Sequence, residues 1–554
     1  MPRLQSYPSG KNSTRPRIRT LLAGLLLSAV AVMPALGQDA PVQGGTLVYL
    51  EQQAHTNLYP PAGGFYPNGG VLNQITDKLT YQNPETLEIE PWLAESWEIN
   101  DTVTEYTFKL KPGITFSDGT PLDAAAVALN YDIFGLGKPD LKYPVSEVIN
   151  NYDHSEVIDP LTVKFFFKKP SPGFLQGTSV IGSGIVSPAT LARPFDELGD
   201  ATKIIGSGPF VVASETIGKE LNLAVRPDYN WGPGKFEHQG RAYLDAIKYI
   251  ITPEDSVRIG ALLAGQAQVI RQIQAYDEPQ VEAAGYTLVA PNTRGVNDSI
   301  AFRPDNPLVA DVKVRQALLL ATKTQEIVDT LFSANYPRAT SVISSKALGY
   351  VDLSSKLVFD QEKAKALLAE AGWTPGADGI LVKDGKPLDL TVYVSLPQPQ
   401  NEAVLQLIAQ QWAQIGVKLN VLAGDAGSRT LDNLDPAKTP VVVAMVGRAD
   451  PDVIKSGFYP KNRDWLLQKG GSSQNMTSFV DDKLNTLLEA LASETDRAKR
   501  LAIDGEIQNY VLDQAYIIPI FEEPQAFAAA PNVHGLGFEA VGRPSFYNVW
   551  LGAN

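Results

Sequence analysis

The segment with the clearest binding chemistry is Met445–Asp452, in which charged side chains follow an apolar run. Val441–Ala444 predicts a buried strand, and Arg448 and Asp450 come shortly after it. Loops at strand ends are where scaffolds of strands and helices meet their ligands. Arg448 and Asp450 are therefore candidate ligand-binding residues, and the arginine would suit a carboxylate of a solute. The alternative is a plain turn, for which the Asp-Pro-Asp sequence is also suitable.

Further candidates for such a site are aromatic or polar side chains elsewhere in the chain. Tyr229 and Trp231 could stack on a solute, although packing in the core or on the surface explains them equally well. Arg294 and Asn475 are polar residues of the kind that a binding site needs in small numbers.

No residue pattern predicts catalysis. The chain has neither a Gly-x-Ser-x-Gly elbow nor a Walker-type phosphate loop. Gly206–Phe210 is glycine-rich but precedes a predicted strand, which favours close packing over phosphate binding. For adjacent carboxylates such as Glu522 and Glu523, a solvated face or a helix cap is the simpler interpretation. We therefore expect a protein that is not an enzyme. Four histidines are scattered without the spacing of a metal site: His55, His154, His238 and His534.

The composition restricts the chemistry further. The chain has no cysteine, which removes disulfides, thiol nucleophiles and Cys-based metal sites. Beyond the first 37 residues the methionines are Met445 and Met476, too few for soft-metal capture, so we expect no bound metal or other cofactor. The net charge of −14 argues against nucleic acid or anionic lipid as a partner, although solubility alone would also explain it.

The first 37 residues have the pattern of a secretory leader. Basic residues precede the apolar run Leu21–Val32, and Ala35-Leu36-Gly37 places small residues before Gln38. The alternative is a transmembrane anchor, but the run is shorter than the roughly 20 residues that a span needs. We expect cleavage after Gly37.

The elements that must position the candidate residues are most clearly marked in Pro91–Asp123. Tyr106–Leu110 alternates apolar and polar residues, which predicts a half-buried strand. Ile114–Phe116 predicts a second short strand. Asp123 then suits the N-cap of a following helix.

The middle of the chain predicts mixed strands and helices. Phe210–Val212 and Leu221–Val225 predict a strand pair. Asp255–Gly265 has helical spacing, with Val257, Ala261 and Leu262 on one side.

From about residue 303 the pattern becomes α/β. Asp311 and Asp360 each precede a helical run and predict N-caps. Leu388–Val394, Glu402–Ile415 and Val417–Val421 predict a strand, a helix and a strand. Such a βαβ unit predicts a parallel strand pair.

The order of these elements, with these residues, resembles the extracellular solute-binding proteins of peptide, nickel and opine ABC importers. The family's Leu-Ala-Glu-Ser-Trp run stands at Leu93–Trp97, its Tyr-Thr-Phe-x-Leu strand at Tyr106–Leu110, and its Gly-x-x-Phe-x-Asp-Gly-x-Pro turn at Gly113–Pro121. The resemblance covers nearly all of the chain after the leader. Further similar segments are Gly206–Phe210, Leu262–Gly265, Val312–Leu318 and Asp360–Trp373.

The resemblance implies an α/β protein with the two-lobed periplasmic-binding-protein fold and an additional domain inserted into the first lobe. The chain would cross between lobes near Ser299–Arg303 and Tyr516–Glu522, which suit hinge positions. The implied divisions are a signal peptide 1–37, lobe I first part 38–84, inserted domain 85–190, lobe I second part 191–302, lobe II 303–515 and a return to lobe I over 516–554.

The resemblance also implies roles for individual residues. Asp450 stands where peptide-binding relatives carry an aspartate that pairs with the ligand's α-ammonium group. Those relatives have a tryptophan three residues earlier, where this chain has Gly447. This departure leaves the peptide specificity open. The loop after the first strand lines the cleft in this family, and its candidate residues are His55, Asn57 and Tyr59.

The implied function is that of a periplasmic receptor for an ABC importer. It would capture a peptide or peptide-like solute between its lobes and deliver it to the permease subunits and their ATPases. Within this class, an opine or a metal chelate is the alternative solute. A secreted hydrolase is the alternative from another class. Since no cysteine is present to carry a lipid, we expect a free, monomeric periplasmic protein without a nucleic acid partner.

Overall fold

The structure is a computed structural model, and it describes residues 40–234, 236, 238–394, 400–424, 426–471 and 477–553. The leader predicted over 1–37 lies outside the described residues. Pro41–Asn554 forms one compact unit. Among the described helices, none has the length and apolar character needed to cross a bilayer.

The strands of the described residues are mostly short and are numbered in chain order. They are β1 Thr46–Glu51, β2 Thr80–Gln82, β3 Ile89–Pro91, β4 Ala94–Ile99, β5 Glu105–Leu110, β6 Tyr152–Asp159, β7 Thr162–Phe167, β8 Phe210–Thr216, β9 Glu220–Val225, β10 Ala246–Ile251, β11 Val269–Arg271, β12 Thr287–Val289, β13 Gly295–Phe302, β14 Thr374–Pro375, β15 Leu381–Lys383, β16 Lys386–Pro387, β17 Asp389–Tyr393, β18 Lys418–Leu422, β19 Val441–Gly447, β20 Ile517–Phe521, β21 Phe527–Ala529, β22 Val533–His534, β23 Gly537–Phe538, β24 Pro544–Ser545 and β25 Trp550–Leu551.

The α-helices of the described residues are distributed along the whole chain. They are α1 Tyr66–Ile75, α2 Ala124–Leu136, α3 Phe174–Gly177, α4 Pro188–Leu191, α5 Asp255–Leu263, α6 Glu278–Ala283, α7 Val312–Ala321, α8 Thr324–Leu331, α9 Gln361–Glu370, α10 Gln400–Ala413, α11 Ala426–Asp432, α12 Val453–Phe458, α13 Asp482–Ser493 and α14 Arg497–Asp513.

A seven-stranded sheet in the order β12-β21-β11-β1-β10-β9-β8 forms the centre of the first lobe. β1 lies parallel to both β10 and β11, whereas β8 and β9 pair antiparallel, which confirms the strand pair predicted there. The glycine-rich loop before β8 packs closely on α1. A Cβ atom at Gly206 would lie 1.9 Å from the carbonyl oxygen of Ile75, so the loop's glycines serve close packing.

The antiparallel sheet β4-β5-β7-β6 also belongs to the first lobe. Tyr106, Phe108 and Leu110 of β5 are buried, which confirms the predicted alternation. The strand predicted at Ile114–Phe116 is wrong, because the segment forms only an isolated bridge to Pro121. Proline lacks an N–H group and cannot extend a ladder.

The second lobe is built on the sheet β19-β13-β20 and on the pair β17 and β18. β17 and β18 are parallel and are joined through α10, so the predicted βαβ unit is confirmed. The segments where the sequence placed the lobe crossings form β13 and β20, which pair with each other inside this sheet. Ile300 and Ile518 from these two strands lie in one apolar core with Trp412.

The predicted helix caps are present at three helices. Asp123 accepts a hydrogen bond from the backbone N–H of Ala126 at 2.9 Å. Asp311 and Asp360 make the same kind of contact at α7 and α9, also at 2.9 Å. Each side chain satisfies one of the N–H groups that a helix start leaves unpaired.

The face predicted for α5 is partly wrong. Leu262 is buried as expected, but Val257 is 54% exposed and its neighbour Arg258 is buried instead. The Arg258 guanidinium donates to the carbonyl oxygens of Thr252 and Pro253, each at 2.7 Å. Because Asp255 supplies the countercharge and these carbonyl groups accept further hydrogen bonds, the helix turns its arginine side towards the protein.

Two short segments join the lobes side by side, and we call them the paired connection: Pro291–Arg294 before β13 and Glu522–Gln525 after β20. The N–H of Thr293 donates to the carbonyl of Glu523 at 3.1 Å, and that of Gln525 donates to Pro291 at 2.9 Å. The two polypeptide segments therefore leave the second lobe as a hydrogen-bonded ribbon.

Candidate functional site

A cavity of about 630 Å³ lies between the two lobes. Small-molecule sites occupy roughly 300–1,000 Å³ and are mainly walled by apolar and aromatic side chains. The second lobe contributes Val446 and Gly447 of β19, followed by Arg448, Ser456 and Arg463. The first lobe contributes most of the aromatic wall: Phe65, Tyr81, Trp92, Tyr229, Phe236, Phe538 and Tyr547.

Charged side chains on the cavity wall are mainly cationic. Two of the cations have carboxylate partners on the same wall, with Arg463 lying 3.1 Å from Glu147 and Arg543 lying 3.0 Å from Glu539. In the described part of the wall, the other two cations, Lys78 and Arg448, are not within 4.0 Å of a wall carboxylate. The charged residues of the described wall are Lys78, Glu147, Arg448, Arg463, Glu539 and Arg543.

Arg448, predicted from the sequence as a candidate, lines the cavity and is 5% exposed. Its Nη2 donates to Asp452 at 2.6 Å, while Nε and Nη1 are buried and donate to no acceptor of the described protein. Its backbone N–H donates to the carbonyl of Arg294 in the paired connection at 2.8 Å. The guanidinium is therefore anchored at one edge and has two donors left for a ligand.

Gly447 also lines the cavity, and the structure explains why a glycine stands there. A Cβ atom at this position would lie 2.6 Å from Cγ2 of Thr293 and 3.4 Å from the hydroxyl of Tyr66. The first lobe and the paired connection approach β19 too closely for a large side chain. The tryptophan that relatives carry at this point has no space here.

Lys78 is a cavity residue that the sequence did not reveal as a candidate. It is 3% exposed, and its Nζ donates to Oδ1 of Asn73 at 2.8 Å and lies 4.9 Å from the ring centre of Trp92. Burial lowers the pKa of Lys78 to about 8, although Glu539 and Asp77 act in the opposite direction. The sequence signal was weak, because Lys78 follows Asp77 directly and such adjacent charges are usually exposed.

Asp450 lies next to the cavity wall but not among the lining residues, because Arg500 binds it. Arg500 donates from Nη2 to Oδ1 at 2.5 Å and from Nη1 to Oδ2 at 3.2 Å. Burial alone would raise the pKa of Asp450, but the charge and hydrogen bonds of Arg500, together with smaller contributions from Asp452 and Arg448, lower it below its usual value. The carboxylate is therefore already paired within the protein.

Asp452 links this charge cluster to the first lobe. Asn150 donates to Oδ2 of Asp452 at 3.1 Å and accepts from Nζ of Lys455 at 3.0 Å. Burial raises the pKa of Asp452 to about 6, although the adjacent Arg448 favours the charged form. Together with the pair between Glu147 and Arg463, these contacts hold the lobes together on one side of the cavity.

The three candidates after β1 do not line the cavity. His55 Nε2 lies 3.1 Å from Oε1 of Glu215, and Asn57 donates to the carbonyl of Phe195 at 2.9 Å. The buried hydroxyl of Tyr59 donates to the carbonyl of Pro144 at 3.2 Å. The polar atoms of these three side chains are therefore engaged by partners inside the first lobe.

The remaining candidates have separate positions. Trp231 is buried and donates from Nε1 to Oδ2 of Asp77 at 2.9 Å, while its neighbour Tyr229 lines the cavity. Arg294 donates to the carbonyl of Ala540 at 2.7 Å and does not line the cavity. Asn475 lies outside the described residues. The structure thus brings Tyr229, Gly447 and Arg448 of the predicted candidates to the cavity.

Comparison with known proteins points to a single family. The family model described as "Bacterial extracellular solute-binding proteins, family 5 Middle" matches residues 88–460. A curated relative, the glutathione-binding protein GsiB of Salmonella paratyphi A, is 26% identical over 534 residues, which cover 92% of this chain and 94% of the relative.

Two solved structures share the fold. The oligopeptide-binding protein AppA from Bacillus subtilis, in complex with a nonapeptide, has a TM-score of 0.77 at 22% identity and covers 93% of this chain and 100% of its own. NikA from Brucella suis, in complex with Fe(III)-EDTA, has a TM-score of 0.74 at 22% identity and covers 92% and 100%. These similarities confirm the predicted α/β, two-lobed fold class.

Proposed function

The chain belongs to the bacterial extracellular solute-binding proteins of family 5, and on this basis we propose that it is the receptor of an ABC importer for a peptide or peptide-like solute. The observation that carries the proposal is the cavity of about 630 Å³ with walls from both lobes. Its aromatic wall suits side chains of a peptide, and its cationic groups suit carboxylates such as the C-terminus. Glutathione, named for the relative GsiB, is a good first probe.

The arrangement of the cavity favours binding over catalysis. General acid or base chemistry needs a carboxylate or imidazole within hydrogen-bond reach of the substrate. The two carboxylates of the described wall, Glu147 and Glu539, are each held by an arginine. The alternative of a secreted hydrolase gains no support from this wall.

Closure of the lobes on the solute is part of the proposal. The paired connection is the natural hinge, because few residues at element ends can absorb the change in backbone angles. It lies a few residues outside the crossings expected at Ser299–Arg303 and Tyr516–Glu522. We keep the inserted domain at 85–190, which contains the sheet β4-β5-β7-β6.

We further propose that the mature protein is a monomer in the periplasm, without a lipid, which meets a membrane permease in its solute-bound form. The leader pattern over 1–37 and the lack of cysteine support this placement. N-terminal sequencing of the periplasmic protein should begin at Gln38. A chain that retains residues 1–37 in the membrane fraction would contradict the placement.

The central test is the mass of the solute that the protein carries. Native mass spectrometry of protein from a periplasmic extract should reveal a bound peptide-sized species that denaturation releases unchanged. Titration calorimetry with glutathione and with short peptides then measures affinity. Release of a cleaved product, or the absence of binding to any peptide, would overturn the proposal.

A further inference from the structure

We propose that the cavity selects an acidic solute, whose carboxylate groups are held by Lys78 of the first lobe and Arg448 of the second. This inference rests on the proposed function and specifies its substrate class. The whole chain carries a net charge of −14, yet the described cavity wall carries four cations and two carboxylates. The described cavity wall is therefore net positive in a protein that is net negative.

Lys78 needs an anionic partner that the protein does not supply directly. A buried ammonium group has three donors, and Nζ has Asn73 as its acceptor. The nearby acids are engaged elsewhere, because Asp77 accepts from Tyr229 and Trp231, and Glu539 accepts from Arg543. Asp77 and Glu539 favour the charged form of Lys78, but no carboxylate of the described protein accepts a hydrogen bond from Nζ. Buried donors without acceptors are costly, so a solute carboxylate beside Nζ would be favoured.

Arg448 offers the second anchor. Asp452 occupies Nη2, and the two other donor positions, Nε and Nη1, are buried and unpartnered in the described protein. Nε and Nη1 point away from different edges of the guanidinium plane, so each can donate one charge-assisted hydrogen bond to a carboxylate oxygen. The free donors of Arg448 are therefore suited to a carboxylate of the solute.

A cationic group of a solute would find no equivalent partner in the described wall. Glu147 and Glu539 are bound by arginines, and Asp450 is bound by Arg500. The pairing of Asp450 with an α-ammonium group, which the family resemblance implies, is therefore replaced by a pair within the chain. The free charged groups of the described wall therefore select a solute with negative charge.

The positions of the two anchors also connect charge to closure. Lys78 and Arg448 line one cavity from opposite lobes, so closing the lobes brings like charges together. A carboxylate between them, or one carboxylate on each, cancels this repulsion. An acidic solute then stabilises the closed form more than a neutral solute of the same shape.

The test uses two matched pairs of probes on the full mature protein at pH 7. Gly-Glu-Gly is compared with Gly-Gln-Gly, and glutathione is compared with its diethyl ester. Titration calorimetry should give an affinity at least tenfold higher for the acidic member of a pair. Lys78→Met should lose at least tenfold in affinity for Gly-Glu-Gly and clearly less for Gly-Gln-Gly, in which the C-terminus is the single carboxylate.

The variants need matched controls because Arg448 also partners Asp452. The double variant Arg448→Gln/Asp452→Asn removes the anchor without leaving a buried charge, and it should lose acidic binding as Lys78→Met does. Lys219→Gln changes an exposed lysine and should bind like the wild type. Thermal melting verifies that each variant is folded.

The outcomes separate the two proposals. Equal affinity of the wild type for acidic and neutral probes, or wild-type selectivity in both anchor variants, would overturn the inference and leave the peptide receptor standing. A wild-type protein that binds none of the four probes would overturn the proposed peptide specificity, and the inference with it.

Discussion

Asp450 illustrates at the residue scale how one buried partner changes the role of an aspartate in a binding loop. The family resemblance implied that Asp450 pairs with an ammonium group of the solute, and the alternative was a plain turn. In the structure its carboxylate forms two hydrogen bonds with the Arg500 guanidinium, and both side chains are buried. A charge pair of this kind belongs to the fold before any ligand arrives.

The first prediction concerns this pair. Asp450→Asn should lower the free energy of unfolding of the ligand-free protein by about 3–5 kcal/mol, because it leaves a buried arginine without its countercharge. Urea unfolding measures the loss. The double variant Asp450→Asn/Arg500→Gln should lose clearly less than Arg500→Gln and Asp450→Asn added together. If Asp450→Asn leaves the free energy of unfolding unchanged, the prediction is contradicted and Asp450 is a turn residue without a structural charge pair.

The second prediction follows from the lowered pKa of Lys78, which is about 8. A carboxylate beside Nζ favours the charged form and raises this pKa. At pH 8.5, binding an acidic peptide should therefore take up protons, and the affinity should fall as the pH rises further. Calorimetry in buffers of different ionisation enthalpy measures the uptake. In Lys78→Met the buffer dependence should disappear, and its persistence would assign the proton to another group.

At the scale of elements, the loop before β8 has a specific geometric requirement. Gly206→Ala should destabilise the protein by about 1–3 kcal/mol, because the new Cβ would overlap the Ile75 carbonyl. Gly260→Ala is the matched control, since a Cβ at this exposed position of α5 meets nothing within 4 Å. It should be neutral or stabilising by up to about 1 kcal/mol. Chemical denaturation measures the stability of both variants. Equal stability of Gly206→Ala and Gly260→Ala would contradict a packing role for Gly206.

Element-scale features were predictable from the sequence wherever the determining residues are close together in the chain. The cap at Asp123 and the parallel unit of β17, α10 and β18 depend on local patterns, and both are confirmed. The face of α5 was not predictable in the same way. The burial of Arg258 depends on its ion pair with Asp255 in α5 and on carbonyl groups outside the helix, neither of which hydrophobic periodicity registers.

The candidate site was predictable only in part, and the reason lies at the scale of the whole molecule. Arg448 follows a recognisable strand and could be identified from its position. Lys78 became a candidate only because the fold brings it to the same cavity, from a position hundreds of residues earlier in the chain. The pairing of Asp450 with Arg500 joins a loop to α14 and has no local signature.

The fourth prediction concerns the two lobes together. The solute should close them, so small-angle scattering should give a smaller radius of gyration with glutathione or an acidic tripeptide than without it. Lys78→Met at the same ligand concentration should remain closer to the ligand-free value. An unchanged radius for the wild type at saturation, with binding established by calorimetry, would contradict a hinged receptor.

The paired connection has a consequence for the order of events during capture. Arg448 is hydrogen-bonded through its backbone to Arg294, so with the proposed hinge at the paired connection it lies near the rotation axis, where an atom moves least. The contact between Glu147 and Arg463 is formed across the lobes and must break when they swing apart. A solute can therefore bind at Arg448 first, and the contact between Glu147 and Arg463 then forms and slows the dissociation of the solute. In stopped-flow experiments, Glu147→Gln should shorten the residence time of the solute while leaving the association rate constant nearly unchanged.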